Sequence, residues 1–352
     1  MPADNLVSML LWLGELILAS FLLANGAEHL SAKYGARFVG RTVMSIATTL
    51  PEIAIVVYAS ADGFYGTALG AGLGSNLLMM TLGLAIMLLI ATTRLSKAPL
   101  KGIDVSGFGL DKVFLVVTSV TSAALFINGF DFGDGLVFMG LFLAYLALAF
   151  REMRKEKERT PVLRAGENHE GGPQARNLGA HSDGSRLSRS MLRAAIIFVL
   201  GTVGIFVGAE PFIKSLEGLS ADSGVSVVVL AVIISPIAGE MPEKISMMLL
   251  ARKGAVGASI AVANVLGSKI LNNTLLLAVA VFGAMNHAGF AARIDPTPIL
   301  VYQMVLVTSV TVIALVPMFR REIGLRVGIG LAALYAISII LQFILPADHG
   351  TT

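Results

Sequence analysis

Two Pro-Glu pairs lie inside apolar segments of this chain, Pro51-Glu52 and Pro242-Glu243. A run of small residues ending in Gly-Ser follows each, at Gly74-Ser75 and Gly267-Ser268, and the Glu-to-Ser separations are 23 and 25 residues. Proline inside a helix removes one backbone hydrogen bond and frees the carbonyl four residues back. Those oxygens fall near Ala47–Thr48 and Ala238–Gly239, one turn before each glutamate. Within a bilayer, free carbonyls are tolerated only where they line an enclosed or wet cavity. Carboxylate, hydroxyl and carbonyl oxygens would then converge, and Ca2+ takes a shell of about six to eight oxygens. A carboxylate at mid-membrane costs at least about 2.5–3.5 kcal/mol. Two of them in matched positions point to cation binding. Lone acids such as Glu15 and Glu28 carry no such argument: either can be protonated or paired, and Glu28 can sit at the membrane edge.

Other chemistries find little support. Cysteine is absent, which excludes disulfides and thiolate metal sites. The five histidines, His29, His169, His181, His287 and His349, form no HExxH or similar ligand spacing. An intramembrane hydrolase would need a nucleophile with its base, or metal ligands, so the chain is not expected to be an enzyme.

The elements that must position these residues are membrane helices. Of the 352 residues 55% are apolar and only 14% charged, against about a quarter charged in ordinary soluble chains, and the mean hydropathy is +0.80. Apolar segments near 6–28, 40–61, 66–92, 113–129, 135–150, 191–212, 224–250, 255–285, 298–318 and 323–345 predict ten spanning helices. The start, MPADNLVSML, lacks a basic leader region and reads as a short tail before a retained first span. With the N-terminus outside, the inside loops carry Lys33, Arg37 and Arg41; Arg94, Lys97 and Lys101; the 151–190 segment; Arg252 and Lys253; and Arg320, Arg321 and Arg326. The outside loops carry only Lys214 and Arg293, an alternation that matches the positive-inside rule and places both termini outside. The charged, Gly-rich stretch at 151–190 predicts a largely disordered cytoplasmic linker. It divides the chain into five-span halves, 1–150 and 191–346. An odd number of spans per half inverts the second relative to the first, a plan that recurs in secondary transporters. The expected fold is therefore an all-α membrane protein of two inverted five-helix repeats.

These residues resemble the cation/Ca2+ antiporter superfamily and, within it, the prokaryotic sodium/calcium exchangers. Their two alpha repeats read approximately G-T-S-x-P-E followed by G-N-x-x-G-S-N-x-x-N/D. The segments at 40–80 and 230–275 match them, and NGAEHLSAKYGARFVGRTVMSIATTLPEI includes the lead-in to the first. The resemblance implies that Glu52 and Glu243 bind both Ca2+ and Na+. It implies further that Thr48, Ser75, Ser268, Asn76 and Asn272 contribute ligands, with Asn264 at the G-N step. It also makes the first and sixth spans candidates for a pair that slides against the rest.

Departures from the pattern concern the counter-ion. Met79 stands where a polar Asn belongs and Ala71 occupies the first G-N step; Gly239 replaces threonine, Glu240 replaces serine, and Lys269 replaces Asn. Glu240 and Glu243 share one helix face, and two carboxylates so close cannot both ionise freely without a cation. That favours a divalent ion or a proton, and Glu240 joins the candidate ligands. Lys269 either neutralises one of these acids, standing in for a bound Na+, or snorkels to an interface; Lys244 is expected to snorkel.

The expected function is a secondary active antiporter that exchanges Ca2+ for Na+ by alternating access, the ions sharing a midplane site between Glu52 and Glu243. H+-coupled exchange of Ca2+ or another divalent ion is the alternative. A channel fits less well, since it needs a continuous pore and commonly a ring of subunits. No cofactor and no nucleic acid are expected. The partners are Ca2+, a monovalent ion and the bilayer, with a monomeric transport unit in a prokaryotic plasma or inner membrane.

Overall fold

In hydrocarbon every backbone N–H and C=O must find a partner within the protein, and a helix satisfies this locally. The computed structural model describes residues 2–31, 45–166 and 184–344, and it is helical almost throughout. The helices are α1 (Pro2–Ser31), α2 (Ser45–Ala61), α3 (Tyr65–Thr92), α4 (Gly109–Phe126), α5 (Phe132–Gly166), α6 (Gly184–Ser223), α7 (Val227–Ala251), α8 (Ala255–Ala288), α9 (Pro298–Leu315) and α10 (Leu325–Ile344). Among the described residues, eight stretches are long and apolar enough to cross a membrane, while Ala47–Ala61 and Val227–Met241 are apolar but shorter. The two short stretches lie in α2 and α7, the helices with the Pro-Glu pairs. Glu240, Glu243 and Lys244 lie in the second half of α7, and α2 begins beside residues 32–44, which lie outside the described residues together with the basic positions Lys33, Arg37 and Arg41.

Helices α5 and α6 run into the segment expected as a linker, to Gly166 and from Gly184. REMRKEKER is made of long, straight side chains with opposite charges three or four apart, a composition that sustains helix. Residues 167–183 of that segment lie outside the described residues.

Helices α3 and α8 form the centre. In their apolar windows 78% and 83% of residues are buried, against 28% in α1 and 22% in α6 and α10. The outer helices turn side chains such as Leu11, Val199, Ile340 and Phe343 outward, as a lipid-facing surface requires. Helix α1 packs most extensively on α6, and α3 on α7. Glycine permits both approaches, as membrane helices without a solvent-driven force between them require. On α3, Gly70 sits where a Cβ would lie 2.8 Å from Ala231 Cβ, and at Gly74 it would run into the Val232 backbone. A Gly74→Ala change should therefore lower the thermal midpoint in detergent although alanine is the better helix former by about 1 kcal/mol. Gly140→Ala on α5 meets nothing within 4 Å and should leave the midpoint unchanged or raise it. Equal effects at the two positions would remove the close-approach argument.

Two short pairings tie the loops together. Ile103–Asp104, between α3 and α4, pairs antiparallel with Glu322–Ile323, between α9 and α10. Phe130, between α4 and α5, bridges to Ile294, between α8 and α9. Lys112 fastens the first junction by donating to the carbonyls of Val105 at 2.7 Å and Met318 at 2.8 Å.

The prolines do not break their helices: α2 runs through Pro51 and α7 through Pro242. One missing bond is tolerable where neighbouring helices enclose the backbone. The irregularity lies instead in α3 and α8, as single π-helical segments at Met79–Gly83 and Asn272–Leu276. Each begins four residues after the serine of a Gly-Ser step. Such segments occur frequently at functional sites.

Candidate ion-binding site

Four helices bring the candidate ligands together: α2 with Thr48 and Glu52, α3 with Ser75 and Asn76, α7 with Glu240 and Glu243, and α8 with Asn264, Ser268 and Asn272. All nine are buried, none more than 5% exposed. Apart from Thr48, they fall into three hydrogen-bonded groups and one carboxylate that stands alone.

Glu240 is the hub of the first group. Ser75 Oγ donates to its Oε1, and the Lys269 ammonium pairs with the same oxygen. Lys269 Nζ also donates to Ser75 Oγ at 2.6 Å, and Asn272 Nδ2 donates to that hydroxyl at 2.7 Å. Lys269 is 1% exposed, so of its two expected placements it takes the one beside an acid. In the second group Glu243 Oε1 accepts from Ser268 Oγ at 2.9 Å and from Asn264 Nδ2 at 3.2 Å. The third runs from Asn76 Nδ2 to Asn273 Oδ1 at 2.5 Å, and from Asn273 Nδ2 to Ser119 Oγ on α4 at 2.7 Å.

Glu52 stands against bare backbone. A Cβ at Gly239 would lie 2.8 Å from both its Cδ and its Oε1. Gly239 is one residue before Glu240 and one turn before Glu243, so the acid of α2 is seated on the turn of α7 that carries the other two. Glu52 interacts electrostatically with Glu240, Lys269 and Glu243. Glycine in place of the family's threonine thus has a local reason: it opens the space that the longer acids occupy. Thr48 is buried on the same helix, one turn before Glu52.

Four acceptor oxygens here are buried with no hydrogen-bond partner: Glu52 Oε2, Glu240 Oε2, Asn76 Oδ1 and Asn272 Oδ1. Buried polar atoms are nearly always paired, so each unpaired one calls for an explanation. Hard oxygens with no nitrogen or sulfur among them suit Ca2+, Na+ or a proton better than a transition metal. Among the described residues no three of His, Cys, Asp and Glu are grouped as a metal cluster. Amides and hydroxyls must therefore supply part of any shell.

Lys244 departs from expectation. It is 8% exposed and donates to the Pro236 carbonyl at 3.1 Å rather than reaching an interface. Side chains on a helix lean toward its N-terminus, which turns this ammonium inward along α7. Asn273 and Ser119 were not singled out by the sequence reading. The Asn272-Asn273 doublet after Gly-Ser was the available signal for the first; Ser119 had none.

The Lys269–Glu240 pair sets a stability expectation. Removing one partner of a buried ion pair costs about 3–5 kcal/mol, whereas replacing both by apolar residues is often near neutral. Lys269→Met should lower the unfolding midpoint in detergent strongly, and adding Glu240→Met should restore most of it. A single variant as stable as the double would mean the pair is not formed.

An almost wholly helical, multi-pass membrane fold with acids, amides and hydroxyls at its centre is of the kind that ion transporters have. A family model described as sodium/calcium exchanger protein matches residues 5–151 and 193–344, and the chain belongs to that family. It is similar to an uncharacterized membrane protein of Methanocaldococcus jannaschii, 25% identical over 256 residues, covering 72% of this chain and 74% of the relative. Its fold is similar to the crystal structure of the H+/Ca2+ exchanger CAX, with TM-score 0.75 and 18% identity, covering 97% of this chain and 87% of that one. It is also similar to the sodium-calcium exchanger NCX_Mj, with TM-score 0.61 and 22% identity, covering 97% and 99%.

Proposed function

We propose that this chain is a secondary active antiporter that exchanges Ca2+ for Na+ by alternating access. The ions share one site between Glu52 and Glu243, with oxygens from Thr48, Ser75, Asn76, Glu240, Ser268 and Asn272 around it. The observation that carries the reading is the set of four unpartnered acceptor oxygens, drawn from α2, α3, α7 and α8. A bound cation would satisfy them. The family's printed description, and the exchangers whose folds this one resembles, support the same reading.

The chain is read as ten spans in two inverted halves, 1–150 and 191–346, joined by the 151–190 segment. The loop pairings support this. The link after the third helix of one half pairs with the link after the fourth helix of the other, and the reverse also holds. A two-fold relation between halves would produce that exchange. With the 151–190 segment cytoplasmic, both termini lie outside a plasma or inner membrane, and the transport unit is a monomer. The ions are cargo, and no resident cofactor is invoked.

A second reading replaces Na+ by H+. Glu240 and Lys269 at positions where the family carries serine and Asn favour it, since a hydroxyl and an amide that suit Na+ are exchanged for a closed ion pair. Purified protein in liposomes, with Ca2+ uptake followed under imposed Na+ and pH gradients, separates the two. Accumulation driven by an outward Na+ gradient supports the first, and accumulation driven only by an outward H+ gradient supports the second. Uptake that dissipates existing Ca2+ gradients and follows no counter-ion would instead indicate a channel.

A further inference from the structure

We infer that Lys269 is a tethered cation that permanently fills one cation position, so that each Ca2+ is exchanged for two monovalent ions and the cycle moves no net charge. The inference rests on the exchanger reading above and adds its stoichiometry.

Three of the expected ligands are already engaged. Glu240 is paired with Lys269, Ser75 donates to Glu240 and accepts from Lys269 and Asn272, and the pair is 0% and 1% exposed. An ammonium has three protons to place, and two of them are directed at this group. A mobile Na+ seeking the Glu240 Oε1 and Ser75 oxygens would have to displace a cation attached to the chain. Glu52 and Glu243 form no ion pair among the described residues, although Lys269 and the buried Lys244 both act on them electrostatically. Glu240 Oε2 remains open and can face a bound ion, but as part of a neutral pair it adds no net charge.

The count follows from the cost of carrying charge through low dielectric. Two unpaired carboxylates are expensive to move across the membrane, and they become cheap when neutralised. One divalent ion or two monovalent ions achieve this. Fixed charges, including Lys269 itself and Lys244 on its Pro236 carbonyl, travel in both half-cycles and cancel. The net movement is one Ca2+ against two monovalent charges. Without the tether Glu240 would be a third acid whose position a monovalent ion fills only when Ca2+ is absent. The Ca2+-loaded form would then keep one negative charge, three monovalent ions would exchange for one Ca2+, and one charge would cross per cycle.

The test is the equilibrium Ca2+ distribution across liposomes holding the full chain. The Na+ ratio or the H+ ratio is varied, and the membrane potential is set independently with K+ and valinomycin. The logarithm of the Ca2+ ratio should follow that of the counter-ion ratio with a slope of two, so that a counter-ion gradient of about tenfold holds about a hundredfold Ca2+ gradient. Changing the potential should leave it unmoved. A slope of three, or a distribution that shifts with potential, overturns the tethered-cation inference and leaves the exchanger reading standing. No accumulation under either gradient overturns the exchanger reading and this inference with it. Lys269→Asn should raise the slope to three and make it potential-sensitive, and adding Glu240→Gln should return it to two. A transporting Lys269→Asn variant with wild-type slope would also overturn the inference. The wild-type slope decides the matter if that variant does not fold.

Discussion

Glu52→Gln is expected to abolish Ca2+ transport in liposomes while the protein still folds. The side chain is 2% exposed, one carboxylate oxygen has no partner, and the other lies against Gly239. Glutamine keeps the shape, and no ion pair is broken by the exchange, because the buried ion pair of the site belongs to Glu240 and Lys269. What disappears is one of the two charges proposed to hold the cation. Truncating one side of a buried charge interaction costs about 2–5 kcal/mol, and at about 1.4 kcal/mol per factor of ten this is a loss of roughly thirtyfold to several thousandfold in affinity. Glu243→Gln should do the same. It keeps the oxygen that accepts from Ser268 and Asn264 and loses only charge. Isothermal titration with Ca2+, alongside uptake measurements, checks both. Wild-type Ca2+ affinity in either variant would remove that residue from the site.

Gly239→Ala is expected to be nearly as damaging, by a different route. The added methyl would lie 2.8 Å from Glu52 Cδ and Oε1, a separation that van der Waals contact does not allow, so the carboxylate must move. Alanine within a helix is favoured over glycine by about 1 kcal/mol, which works against any loss of stability. Activity and stability should therefore separate. Ca2+ transport falls by an order of magnitude or more, because misplacing a ligand by about 1 Å at a tightly specified site is costly. The unfolding midpoint in detergent stays level or rises. A variant that transports normally would mean that Glu52 has room to move and that Gly239 does not position it. A variant that loses transport and stability together would mean that the damage is general.

Much of this site was legible before any tertiary structure. The duplicated Pro-Glu pair, with Gly-Ser at nearly equal distance in each half, singled out Glu52, Glu243, Ser75 and Ser268. Two acids in matched positions inside apolar segments are too costly to be incidental. Lys269 was legible only as a choice between two placements. A lysine stem of four carbons reaches either an interface or a neighbouring acid, and which one lies within reach depends on how α7 and α8 are packed. Lys244 had the same freedom and turned inward along its own helix. The π segments at Met79–Gly83 and Asn272–Leu276 left no mark in composition, because one extra residue in a helical turn changes neither hydropathy nor residue preference.

The amino-acid sequence by itself determined that this protein lives in a membrane and that its chain is dominated by apolar helices, and it singled out the oxygens at the two Pro-Glu segments as candidate ligands. These are matters of transfer free energy and local bonding, and each residue carries its share wherever it is placed. Only the tertiary structure decided that Glu240 is held by Lys269 while Glu52 rests on Gly239, and which acceptor oxygens remain open. Those outcomes depend on distances between helices, α8 from α7 and α2 from α7, and such distances are set by how the helices pack rather than by any local preference.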